Sequence, residues 1–188
     1  ILYFNVDVWG FGGCAFAFLG YITASFSYGT RIVSVQWMPT DYYFGGAPSI
    51  IAHEYGHQMG LMHTGYVYSA YDSPWDIMSG APYGTPYKNI DFAAVNKWLL
   101  GWLTLGPQEL STVITFRQQQ GVATINSLHD VWFTEISLVI VNIDNVRFWT
   151  IEVRSKNGVD KDLPAEGVIV HYVDLSVSDW FAKPLDRT

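Results

Sequence analysis

His53-Glu54-Tyr55-Gly56-His57-Gln58-Met59-Gly60-Leu61-Met62-His63 is the stretch on which the reading of this chain turns. On a helix, residues four apart lie about 40° apart around the axis and about 6 Å apart along it, so His53 and His57 project from one face. Zinc accepts neutral imidazole nitrogens at about 2.0–2.1 Å in tetrahedral geometry, and both side chains can reach one such ion. His63 cannot reach it if the helix simply continues, because it would stand about 9 Å beyond His57. The chain must turn sharply between them, and Gly60 is the residue that takes positive φ there without steric cost. The spacing therefore predicts a helix that stops at Gly60 and a third ligand, His63, folded back beyond it.

Three histidines leave the fourth zinc position to water, which is the catalytic pattern and not the structural one. Such a metal draws the pKa of its water toward about 7 and so provides a nucleophile at neutral pH. Glu54, adjacent to His53, is placed to take the proton from that water and return it to a leaving amine. The competing reading is a helix whose histidines are satisfied in the core. It would require hydrogen-bond partners for three buried imidazoles and a carboxylate.

Upstream of the motif, Leu2–Val8 alternates as a strand. Arg31–Met38 is a second strand, rich in β-branched residues and closed by Pro39. Pro48 or Ser49 opens the motif helix, Pro suiting the first turn and Ser a cap. Downstream, residues 64–90 are rich in Gly, Pro, Ser and Tyr and read as irregular loop. Asp91–Leu100 reads as a helix capped by Asp91 and ended by Gly101. From Gly106 the texture becomes β-rich: Thr112–Arg117, Gly121–Asn126, Ile136–Ile143, Val146–Val153 and Gly167–Val173 read as strands. Asp144-Asn145 is read as a tight hairpin turn.

The long histidine motif is the signature of the metzincins, and this chain resembles that clan of zinc endopeptidases. Ser73-Pro74-Trp75-Asp76-Ile77-Met78-Ser79-Gly80 is similar to the clan's Met-turn, with Met78 as the methionine beneath the histidines and not a ligand. Some members carry a tyrosine two residues after that methionine; here the position is Gly80, and Tyr83 is a candidate stand-in. Within the clan the immune-inhibitor-A type is the nearest in appearance and the gametolysin type next. Gly12-Gly13-Cys14-Ala15, Asn96-Lys97-Trp98-Leu99-Leu100-Gly101-Trp102, and Ile151-Glu152-Val153-Arg154 followed by Gly167–Asp174 are similar to that type's segments in the same order.

The expected architecture is α+β: a metzincin-like catalytic domain over residues 1–105, with a twisted sheet packed on the zinc helix. A β-rich, sandwich-like module then covers 106–188. The resemblance also implies a polypeptide substrate, lying extended along an edge strand, and an extracellular or cell-surface setting. Two other readings compete: a catalytically silent metzincin-like module for binding or adhesion, which has no use for Glu54, and a zinc hydrolase acting on a non-peptide bond.

Composition narrows the partners. Hydrophobic residues make up 49% of the chain and charged ones 14%, which suits a dense core and excludes disorder. The net charge is −7 with the ten Lys and Arg scattered, so nucleic acid is not an expected partner. No run approaches the roughly 18 apolar residues of a membrane helix. Cys14, the single cysteine, sits among small and apolar neighbours and reads as a buried thiol. His129 and His171 lack ligand spacing and read as structural. Asp72 and Asp76 flank the Met78 turn and are candidates for calcium, although they lack a calcium-loop spacing and fit hydrogen-bonded roles better. Trp9, Trp37, Tyr42 and Tyr43 could line a cleft but fit a core equally well.

Overall fold

A computed structural model of the chain describes residues 16–17, 22–33, 36–37, 48–65, 73–79, 89–103, 113–117, 121–128, 135–176 and 182–184. The expected strand at Leu2–Val8, the Gly12–Ala15 segment with Cys14, and Trp9, Tyr42, Tyr43, Asp72, Gly80, Tyr83 and His129 lie outside these residues. Among the described residues there is mixed α and β structure, with two small two-stranded sheets, a five-stranded sheet and few helices.

The first strands are short. β1 (Phe16–Ala17) pairs antiparallel with β4 (Gln36–Trp37), and both lie against the motif helix. β2 (Ile22–Phe26) and β3 (Gly29–Val33) form a hairpin whose register places Phe26 opposite Gly29. Gly29, at φ +118°, takes the left-handed conformation that closes so tight a turn. The single strand expected over Arg31–Met38 is thus divided: its first part pairs with β2 and its later part with β1.

The motif helix spans Pro48–Gln58. Pro48 occupies its first turn, where a missing amide donor costs nothing. Its end is a Schellman cap: Leu61 N donates to Gly56 O at 3.0 Å and Gly60 N to His57 O at 2.9 Å, with Gly60 at φ +93°. Leu61, just past the cap, packs with Ile77, Met78 and Phe92 in a buried cluster. A second helix, Ala94–Leu99, ends the same way, with Trp102 N donating to Lys97 O at 2.9 Å, Gly101 N to Trp98 O at 2.9 Å, and Gly101 at φ +74°.

That second helix begins later than the sequence suggests. Asp91 does not cap it; Asp91 pairs instead with the Lys97 ammonium. Distant carboxylates take the amides at the helix start: Asp76 accepts from Ala93 N at 3.1 Å and Glu152 from Ala94 N at 2.9 Å. Those amides have no partner within a helix, so long-range acceptors replace the local cap.

β5 (Val113–Arg117), β6 (Leu138–Asn142), β7 (Arg147–Arg154), β8 (Gly167–Asp174) and β9 (Ala182–Pro184) form one sheet in that order. β5 runs parallel to β6, and the other neighbours are antiparallel. Residues 121–126 are not a strand; an isolated bridge joins Ser127 to Val153 instead. Among the described residues there is no second large sheet to make a sandwich with this one. The β6–β7 turn is wider than two residues: Ile143 N and Asp144 N both donate to Arg147 O, at 2.9 and 3.1 Å. The Asp144 carboxylate holds this turn by accepting from Val146 N and Arg147 N.

Ala93, Ala94, Val95 and Leu103 pack with Val113, Leu128, Leu138, Ile140, Phe148 and Val173. One apolar core cluster therefore draws residues from both sides of position 106.

Candidate metal centre

His53, His57 and His63 come together, their ligand nitrogens all within 4.8 Å of one another. The ring centroids are 4.8 Å apart for His53 and His57, 5.2 Å for His53 and His63, and 4.6 Å for His57 and His63. Helical spacing supplies the first pair, and the cap at Gly60 returns the chain so that His63 completes the group. Leu61, buried at the floor, anchors the returning segment.

Each helix histidine spends its Nδ1 on a backbone carbonyl. His53 Nδ1 donates to Ile77 O at 2.6 Å, and His57 Nδ1 donates to Leu61 O at 2.8 Å. Donation from Nδ1 fixes the tautomer and leaves Nε2 as the lone-pair nitrogen, the usual way in which a metal-ligating imidazole is oriented. His57 Nε2 and His63 Nε2 stand 3.1 Å apart, close to the edge of about 3.3 Å that two nitrogens make on a tetrahedral zinc. Burial lowers the pKa of His53 to about 3, outweighing the opposite effect of its bond to Ile77 O; the neighbouring His57 and His63 add to the lowering. Burial likewise lowers His57, against the bond to Leu61 O. Both are therefore neutral at neutral pH, the form that binds a metal. The three histidines could hold a metal ion, and the donor type, the tautomers and the spacing fit one.

Glu54 follows His53 on the same helix and is only 3% exposed. The intervening Tyr55 is turned out, more than half exposed.

Beneath the helix lies the turn of Ser73–Ser79. Asp76 forms its pivot: Oδ1 accepts from Met78 N at 3.1 Å and Oδ2 from Asn96 Nδ2 at 2.6 Å, in addition to the bond from Ala93 N. Ser73 N donates to Ser79 Oγ at 2.8 Å, tying the two ends of the turn together. Met78 is 0% exposed and packs directly on the helix backbone at Gly56. A Cβ at Gly56 would fall 3.1 Å from Met78 Cε, 3.0 Å from Phe92 Cε1 and nearer still to Met78 Sδ. Only glycine at this point lets the methionine approach the helix between the two histidines. Met78 O in turn accepts the amide of Thr64, next to His63, at 2.9 Å.

Of the two roles open to Asp76 in the sequence, calcium or hydrogen bonding, these contacts show the hydrogen-bonded one that its spacing fits better. Its carboxylate is fully buried and already holds three donors, so it organises a turn and does not face a solvated ion.

The sequence reading missed a buried polar group behind the turn. Arg154 donates Nε to Asp160 Oδ2 at 2.7 Å and Nη2 to Asp160 Oδ1 at 2.6 Å. Its Nη1 reaches Trp75 O at 2.9 Å and Glu152 Oε2 at 3.5 Å. His171, read as structural, is buried in the same region, with Nδ1 3.5 Å from Glu152 Oε1. Burial lowers its pKa to about 4 despite the nearby Asp76 carboxylate.

Comparison with protein-family models, with curated proteins and with solved structures returns no match.

Proposed function

We propose that this chain is a zinc-dependent endopeptidase of the metzincin kind. The observation that carries the reading is the convergence of His53, His57 and His63, two of them locked by Nδ1–H donation to Ile77 O and Leu61 O with Nε2 turned to a common point. Glu54, buried on the same helix, and Met78, packed on that helix at Gly56, support the same reading. A structural metal site closes all four positions with protein ligands, whereas three come together here among the described residues.

His53, His57 and His63 would hold the zinc ion. When bound, zinc supplies Lewis acidity, which acidifies a water and stabilises negative charge developing on a substrate carbonyl. The chain's own contribution is then proton traffic and position. Glu54 receives the proton of the attacking water at its carboxylate and passes it to the nitrogen of the scissile amide, so that a neutral amine leaves. The carbonyls of Ile77 and Leu61 keep the imidazoles from rotating as charge develops nearby. The polypeptide substrate and an extracellular setting come from the resemblance to metzincins and belong to the same proposal.

The test is metal-dependent proteolysis. An unfolded protein substrate should be cut by the zinc-loaded chain, spared after chelation, and cut again once zinc is restored. Stoichiometric zinc with no cleavage of any polypeptide would instead favour a binding module or a non-peptide substrate.

A further inference from the structure

One short turn steadies two of the three imidazole arms. Ile77 O receives the His53 Nδ1 proton, and Met78 O receives the amide of Thr64, the residue after His63. Toward its upstream end Trp75 packs against Ile90 and Leu163, and a hydrogen bond reaches the Trp75 backbone from the far half of the chain. Arg154, with no exposed side-chain surface, donates to the carbonyl of Trp75 at 2.9 Å, two residues before Ile77. Its Nη2 also reaches Asp91 O at 3.4 Å, the same carbonyl that accepts Ile77 N at 3.3 Å. Asp160 grips the guanidinium at both of its oxygens and takes the amide of Asp91 at 2.8 Å.

We propose that Arg154 is a positioning residue of the metal centre, its guanidinium fixing the Ser73–Ser79 turn through Trp75 O and Asp91 O and thereby the orientation of His53. This inference rests on reading the three histidines as a metal site. A buried ion pair is a poor way to gain stability, since apolar residues of equal volume commonly do as well. It is a good way to fix geometry, because a planar guanidinium presents donors in directions that do not vary. Here those directions are shared among a carboxylate of the Gly158–Asp160 turn, the Trp75 carbonyl within the turn beneath the histidines, and the Asp91 carbonyl bonded to that turn through Ile77 N. Lysine keeps the charge but cannot make this fork.

The experiment compares the parent with Arg154→Lys, Asp160→Asn and the exposed-site control Arg147→Lys. Folding is read by far-ultraviolet circular dichroism and cooperative unfolding, Zn2+ affinity by competition with a chromophoric chelator, and ligand geometry by the absorption spectrum of the Co2+ form. Folded Arg154→Lys and Asp160→Asn should bind Zn2+ roughly 10- to 100-fold more weakly and give a shifted Co2+ spectrum, as loss of outer support does elsewhere. Arg147→Lys should match the parent in both. Folded variants with the parent's affinity and spectrum overturn the proposal. If neither variant folds, hydrogen exchange of the parent decides. Added Zn2+ should slow exchange at the amides of Asp91 and Ala94 as well as Thr64, and protection confined to residues 48–65 overturns the proposal. A parent that binds no Zn2+ overturns the metal reading itself, which is measured before any variant is made.

Discussion

Replacing Gly56 by alanine separates packing from helix propensity, because the two push stability in opposite directions. In an exposed helix the change stabilises by about 1 kcal/mol, since glycine loses more backbone entropy on folding. Here the new Cβ meets Phe92 Cε1 at 3.0 Å and Met78 Cε at 3.1 Å, with Met78 Sδ closer still, against the ordinary 3.5–4.0 Å or so between carbons. Methionine is flexible, but Met78 is fully buried and clustered with Leu61, Ile77 and Phe92, so moving it disturbs that cluster. Overpacking of this kind costs about 1–3 kcal/mol, so the net effect should be a loss of up to about 2 kcal/mol. Met78→Ala alone should cost about 2–5 kcal/mol through the cavity it leaves. In that background Gly56→Ala should become neutral or stabilising, because the added methyl now fills empty space. Urea denaturation of the four metal-free proteins measures this cycle. A coupling of about 1–3 kcal/mol favouring the double variant is expected. Gly56→Ala stabilising the parent by about 1 kcal/mol, with no coupling to Met78→Ala, would refute the reasoning.

Three further outcomes can be checked independently. Gly60→Ala meets no atom within 4 Å, so its cost is backbone strain at φ +93° alone: about 1–2 kcal/mol by thermal melting, with Gly60→Asn costing less. Glu54→Gln should retain zinc stoichiometry and stability within about 1 kcal/mol while losing peptide hydrolysis, read by metal analysis and cleavage rate. His171, held near 4 when folded and near 6.5 when unfolded, takes up its proton more readily in the unfolded chain. Its neutral form therefore contributes stability that is whole above about pH 6.5 and falls away toward pH 4, by roughly 3 kcal/mol. Denaturant titrations of the parent and His171→Gln over that range should differ in slope in this sense; equal slopes would remove His171 from the account.

Much of the candidate metal centre was legible because helical geometry is regular. Four-residue spacing places His53 and His57 together, and a glycine three residues after His57 marks where the chain can reverse. The carbonyls that orient these rings were not legible. Ile77 O is a backbone atom 24 positions away, and nothing in its side chain announces an acceptor. The buried Arg154 group was hidden for a different reason. Alternation along Arg147–Arg154 defines two strand faces without saying which is inside, and here the inner face carries Phe148, Thr150, Glu152 and Arg154. Charge in a strand usually marks solvent, and partners such as Asp160 and Trp75 O reverse that rule only once the fold brings them near. The start of the Ala94–Leu99 helix was missed likewise, because its acceptors come from Asp76 and Glu152 and not from a neighbouring cap residue. The split of Arg31–Met38 depends on a change of pairing partner, which local propensity does not encode.

The central claim is most directly tested by mass-spectrometric mapping of the products formed from an unfolded protein by the zinc-loaded chain and by its Glu54→Ala variant. New internal termini produced by the parent and absent with the variant, at equal zinc content, are the predicted result. Equal cleavage by both proteins, or none by either with zinc fully bound, would contradict it.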